Sequence, residues 1–108
     1  MNSADTDHVA NYIEDNPTFT GKLTHTKSGN VFYLYNGKQH REDGPAVITQ
    51  YYTEWHIHGR LHRMDGPARI WPDGMVEWWL NGNYYRTKQE YKLAVREYKL
   101  NTFLSNDT

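Results

Sequence analysis

The chain has no cysteine, which excludes disulfide staples and thiolate metal sites and fits a reducing compartment; the expected location is the cytoplasm. It also lacks any apolar run near the roughly 20 residues that a membrane helix needs, so no membrane partner is expected. Residues Met1, Asn2, Ser3, Ala4 and Asp5 show neither the basic start nor the apolar core of a secretory signal. An excess of charge of one sign is missing too: 12 basic against 13 acidic residues leave a net charge of −1 and a pI near 6.6. Charge alone therefore favours neither generic nucleic-acid binding nor DNA mimicry. Apolar residues are scarce at 37%, with a mean hydropathy of −0.95, yet 15% of the chain is aromatic. A few large rings must supply most of the buried area, each about 150–250 Å². At 108 residues one domain is expected over 1–108.

What is present is one phrase written almost three times between Gly29 and Arg86. Asn36-Gly37-Lys38-Gln39-His40-Arg41-Glu42-Asp43-Gly44-Pro45-Ala46 is followed by His58-Gly59-Arg60-Leu61-His62-Arg63-Met64-Asp65-Gly66-Pro67-Ala68 and by Asn81-Gly82-Asn83-Tyr84-Tyr85-Arg86. The leading glycines step by 59 − 37 = 22 and 82 − 59 = 23 residues, a period suited to supersecondary units that bury their apolar faces against neighbours. Upstream of each glycine stand Val31 to Tyr35, Thr53 to Ile57 and Val76 to Leu80, rich in the β-branched and aromatic residues that suit strands. Asn36-Gly37 predicts a type I′ hairpin turn, because both central positions need positive φ, and Gly59 and Gly82 mark the equivalent turns. Asp43-Gly44-Pro45 and Asp65-Gly66-Pro67 predict a second turn, with Asp accepting local backbone N–H bonds, Gly supplying a permissive dihedral and Pro withdrawing a donor. The expected fold is α+β: an antiparallel meander of about three hairpin repeats over 17–86, with a degenerate fourth in Thr18 to Ser28.

Alternation along the strands predicts one apolar face, of Val31, Tyr33, Tyr35, Trp55, Ile57, Val76, Trp78 and Leu80. The other face collects Phe32, Leu34, Glu54, His56, Glu77 and Trp79, a mixture open to solvent, a covering helix or a partner. Before the repeats, Val9, Tyr12 and Ile13 share a face of a short helix within 1–16 that Pro17 discourages from continuing. After them, Thr87 and Glu90 form a capping box that opens a helix over 87–104. Tyr91, Ala94, Val95 and Tyr98 lie on one stripe of it, to cap the sheet; Leu93, Leu100 and Leu104 lie on nearly the opposite one and need a second cover. Ser105 to Thr108 are expected to fray.

His56, His58 and His62 invite a zinc hypothesis, since His-x-His on a strand points two imidazoles to one side. His40 and His62 share a repeat position, however, and carboxylate or thiolate partners at ligand spacing are missing, so no metal and no cofactor are expected. The pairs His40/Asp43 and His62/Asp65 recur at identical spacing; an active site needs one constellation, whereas a pair repeated with the fold unit maintains the unit. No phosphate loop or nucleophile elbow occurs. The chain reads as a non-enzyme. Arg41, Arg63 and Arg86 recur four residues after each glycine. Beside Tyr51, Tyr52, Trp71 and Trp79 they form a ladder able to hold nucleic acid, or else each packs flat on a ring or pairs with Glu42, Glu54 or Glu77.

The repeats resemble the MORN-like family of stacked hairpins marked by aromatic-x-x-Asn-Gly. His40 to Ala46 and His62 to Ala68 are similar to the His-Arg-x-Asp-Gly-Pro-Ala variant of small bacteriophage and giant-virus proteins. The third copy departs, with Tyr85 in place of His and a helix where Glu-Asp-Gly-Pro should follow, as in a capping repeat. The resemblance covers about half the chain. It implies a binding or scaffolding module: a non-enzymatic phage-type protein that occupies, and modulates or inhibits, a host protein such as a defence component. Nucleic-acid binding is the alternative. The expected contact residues are Trp79, His56, Arg63 and Trp71, then Arg41, Tyr51 and Tyr52, where aromatics and arginine coincide as in interface hot spots. The sequence leaves the oligomeric state open.

Overall fold

The structure is a computed structural model that describes residue 12 and residues 14–106. Among the described residues the chain forms ten short strands and one long helix: β1 (Gly21–Thr24), β2 (Val31–Tyr35), β3 (Lys38–Gln39), β4 (Val47–Ile48), β5 (Thr53–Glu54), β6 (His56–Ile57), β7 (Arg60–Leu61), β8 (Arg69–Ile70), β9 (Val76–Leu80), β10 (Asn83–Tyr85) and α1 (Lys88–Asn106). It is an antiparallel, sheet-rich domain with one C-terminal helix. The main sheet runs β1-β2-β4-β5-β8-β9-β10, with β3 paired to β2 and a separate β6-β7 ribbon. The helix expected within 1–16 lies outside the described residues apart from Tyr12, Glu14 and Asp15, which are helical.

The two-residue turns form as the sequence dictates. Asn36, His58 and Asn81 have φ of 51°, 49° and 51°, and Gly37, Gly59 and Gly82 follow at 78°, 82° and 79°, the paired positive dihedrals of a type I′ turn. Each turn docks on the segment before it. Gly37 N–H donates to the Phe19 carbonyl, Gly59 to Gln39 and Gly82 to Leu61, all at 2.8 Å. A side chain completes each junction: Thr20 Oγ1 accepts from Asn36 N–H, His40 Nδ1 from His58 N–H and His62 Nδ1 from Asn81 N–H, all at 2.9 Å.

The strand expected over 53–57 breaks at Trp55, between β5 in the main sheet and β6 in the ribbon. Trp55 N–H still donates to the Ala68 carbonyl, as Tyr33 N–H does to Ala46, at 2.8 and 2.7 Å. Ala46 and Ala68 return bonds to the carbonyls of Glu54 and Glu77 and are fully buried. The alanine that ends each repeated phrase is thus a site with no room for a larger side chain.

Burial reverses the expected faces in the first two repeats but not at the end of the third, where Leu80 of the expected apolar face is buried and Glu77 and Trp79 are half-buried. Phe32, Leu34, Glu54 and His56 are buried, whereas Tyr33, Trp55 and Ile57 are half-buried and Tyr35 and Val76 exposed. The reason lies in the register. Phe32, Val47, Glu54, Arg69 and Glu77 face one another across five strands, and the polar members satisfy one another, so a face that looks mixed in sequence packs like a core. The second core lies under α1, where Leu80, Tyr91 and Val95 are buried with Trp78, Met64 and Ala94 around them. Thr87 Oγ1 accepts from Glu90 N–H at 3.1 Å, the expected cap. The helix outlasts its expected end at 104, and Ser105 is helical rather than frayed.

Candidate functional site

The Arg-x-Asp-Gly-Pro loops repeat atom for atom. The Arg41 guanidinium carbon lies 4.0 Å from the centroid of the Tyr33 ring, and that of Arg63 lies 3.9 Å from Trp55. Arg41 Nε donates to Asp43 Oδ1 at 3.2 Å and a terminal nitrogen donates to the Pro45 carbonyl at 3.2 Å. Arg63 does the same to Asp65 and Pro67, at 3.0 and 3.1 Å. Planar, fork-shaped and always charged, a guanidinium can stack and donate at once, which lysine cannot.

Two sequence expectations for these loops are corrected. Gly44 and Gly66 are not at positive φ, so the turn does not need glycine for its dihedral. It needs glycine for room, because a β-carbon would stand 3.0 Å from the guanidinium carbon at Gly44 and 2.8 Å at Gly66. The aspartates do not take the expected backbone N–H bonds either: each carboxylate accepts from its own loop's arginine and is otherwise exposed. After the third repeat, where no Asp-Gly-Pro follows, the cation nearest the equivalent ring is Lys88, 5.8 Å from the Trp78 centroid.

Between the two loops lies an open groove of about 780 Å³. Trp55, Ile57 and Met64 give it an apolar lining, and Glu42, Asp43 and Asp65 supply its exposed charges. The guanidinium groups of Arg41 and Arg63 also line it, each stacked on a ring and paired with its own loop's aspartate. Further along the same edge, Tyr35, His40 and His58 cluster, with His40 and His58 rings 4.4 Å apart.

The opposite face holds a polar network. Arg69 Nε donates to Glu54 Oε2 at 2.6 Å, and a second Arg69 nitrogen donates to Glu77 Oε1 at 2.9 Å. His56 Nε2 meets Glu54 Oε1 at 2.9 Å, and Trp79 Nε1 donates to Glu77 Oε1 at 2.9 Å. The guanidinium carbon of Arg69 lies 5.5 Å from the Trp71 ring and 5.9 Å from Trp79. Burial alone would raise the Glu54 pKa, but the bonds from His56 and Arg69 outweigh it and hold the carboxyl below its ordinary value. Burial and the nearby Glu54 charge raise the Tyr52 hydroxyl, and burial lowers His62.

The expected contact residues therefore divide. Arg41 and Arg63 lie at the groove, with their charge internally engaged. Trp79, Trp71 and His56 join the network, and His56 is buried within it. Tyr52 is half-buried, and Tyr51 stands exposed in a turn whose N–H groups at Tyr51 and Tyr52 both donate to Thr49 Oγ1. Arg69, at the centre of the network, is not among the residues that the sequence singles out. Its one sequence signal is its repeat position, an arginine where the first repeat has Val47; that its strand neighbours are Glu54 and Glu77 follows only from the register.

Among the described residues no group of three His, Cys, Asp or Glu is placed to hold a metal ion. No described helix is long and apolar enough to cross a membrane. Comparison of the chain with protein families, with curated proteins and with solved structures finds no match.

Proposed function

We propose that the chain is a non-enzymatic protein-binding module that takes an extended, cationic protein segment into the groove between its two Arg-x-Asp-Gly-Pro loops. One observation carries this reading. Arg41 and Arg63 are stacked on their rings and paired with Asp43 and Asp65 of their own loops, so the groove's three carboxylates and two guanidinium groups leave one net negative charge, and the carboxylates of Glu42, Asp43 and Asp65 are its exposed members beside an apolar lining. A lysine or arginine of a partner would lay its aliphatic stem on Trp55 and Ile57 and its charge on that rim. Phosphate would meet the rim's repulsion and would have to compete for guanidinium groups already engaged, which disfavours the nucleic-acid alternative.

The MORN-like resemblance remains part of the proposal. The junction bonds that recur at Thr20, His40 and His62 support three hairpin units preceded by a degenerate fourth at β1. With the resemblance comes its implication that the partner is a host-cell protein whose surface is occupied.

Calorimetric titration at about 150 mM salt, with a lysine-rich peptide and in parallel with a single-stranded oligonucleotide, tests the reading. The peptide should bind and the oligonucleotide should not, and reversing the rim with Asp43→Lys and Asp65→Lys should abolish peptide binding in a folded protein. Binding of the oligonucleotide in preference to the peptide overturns it.

A further inference from the structure

We infer that α1 is a self-association element, pairing in parallel with α1 of a second copy of this chain through the stripe of Leu93, Leu100, Phe103 and Leu104. The inference is independent of the groove. These four side chains are all more than half exposed, and every residue from Arg96 to Ser105 is exposed. The sheet side holds the helix through Tyr91, Ala94 and Val95, with the Tyr98 ring 6.1 Å from that of His62, while the stripe of Leu93, Leu100, Phe103 and Leu104 stays exposed. Short isolated helices are marginal in water, so that exposed stripe gains from a cover.

The stripe has a seven-residue grammar. Leu93 and Leu100 take the first core position, a, and Arg96 and Phe103 the second, d. Lys92 and Lys99 then fall on one flank, and Glu90 and Glu97 on the other. None of the ion pairs among the described residues involves these flanking groups.

The division of charge selects both the occupant and its direction. In a parallel pair each flank meets the opposite flank of its partner, so Lys92 faces the partner's Glu97, twice by symmetry, and Arg96 sits beside the same carboxylate. In an antiparallel pair like flanks meet, and Lys99 and Glu97 would each face their own kind. Two heptads make a small interface, so the expected dissociation constant is on the order of 100 µM.

The absence of cysteine makes the test clean. Sedimentation equilibrium on the whole chain should show the mass rising with concentration from 12.8 kDa toward twice that value. Leu100→Glu should hold it at the monomer mass with an unchanged melting curve. Leu100→Cys should form a covalent dimer on mild oxidation, because parallel pairing sets the two residues across the symmetry axis at disulfide distance. Lys92→Glu and Glu97→Lys should each weaken association about tenfold alone and recover it when mixed in equal amounts. A chain still monomeric at about 1 mM overturns the inference. So does a dimer that survives Leu100→Glu, and a dimer that Leu100→Cys cannot cross-link overturns the parallel direction.

Discussion

A β-carbon on Gly66 would stand 2.8 Å from the guanidinium carbon of Arg63, which itself rests 3.9 Å from the Trp55 centroid. The glycine of the repeated phrase is thus an empty space shaped by an arginine. Gly66→Ala should push Arg63 off the ring and cost about 1–2 kcal/mol, with Gly44→Ala costing less because its gap is wider. Added to Arg63→Ala, the glycine change should cost almost nothing further, since the displaced group is already gone. Denaturant unfolding of the single and double variants measures this, and additive losses would show that the glycine serves some other contact.

Within the same loop the arginine should matter more than its carboxylate. Arg63→Ala removes a ring stack and two donated bonds and should lose about 2 kcal/mol, whereas Asp65→Ala removes one exposed pair and should lose under about 1 kcal/mol. Equal losses from the two would return the aspartate to the turn-forming role read from sequence.

Glu54→Gln should be the most damaging conservative change on the network face, at about 3 kcal/mol, because it leaves Arg69 and His56 around a site that no longer carries the compensating charge. Since the Glu54 pKa is held below its unfolded value, the stability it contributes is present above that value and is lost as pH falls through the folded one. Stability of the native chain should therefore decline from roughly pH 5 downward, and the decline should be shallower in Glu54→Gln. Identical acid slopes would remove Glu54 from the account.

His62 gives a second window at higher pH. Its depressed pKa means that the folded state disfavours protonation, so its contribution is complete above the unfolded value, near 6.5, and declines as pH falls below it. A proton on Nδ1 would also abolish the bond accepted from Asn81 N–H. Unfolding midpoints at pH 7.5 and 5.5 should differ by more in the native chain than in His62→Ala. No difference between the two would mean that this junction does not titrate.

Sequence made the turns, the repeat spacing and the capped helix legible because each rests on local rules: positive φ at Asn-Gly, a threonine with Glu90 behind it, an apolar stripe every third or fourth residue. What it hid is non-local. The mixed face looked available because Glu54, His56 and Glu77 are polar one at a time, and only the strand register shows that Arg69 lies between the two carboxylates. His40 and His62 were recognised as structural from their recurrence, but their task, accepting the N–H of the following turn, spans 18 and 19 residues and has no local signature. Trp79 lies on the face that the sequence leaves open to a covering helix, yet Tyr91 stacks beside Trp78 instead, with ring centroids 5.0 Å apart.

The most direct test of the binding surface is amide chemical-shift mapping of the labelled protein during titration with a lysine-rich peptide. The account predicts that the largest shifts fall at Glu42 to Ala46 and Met64 to Ala68, around Trp55 and Ile57, and that they vanish in the Asp43→Lys, Asp65→Lys protein while its spectrum stays dispersed. Shifts centred on Trp71 and Trp79, or a response to oligonucleotide and none to peptide, would contradict it.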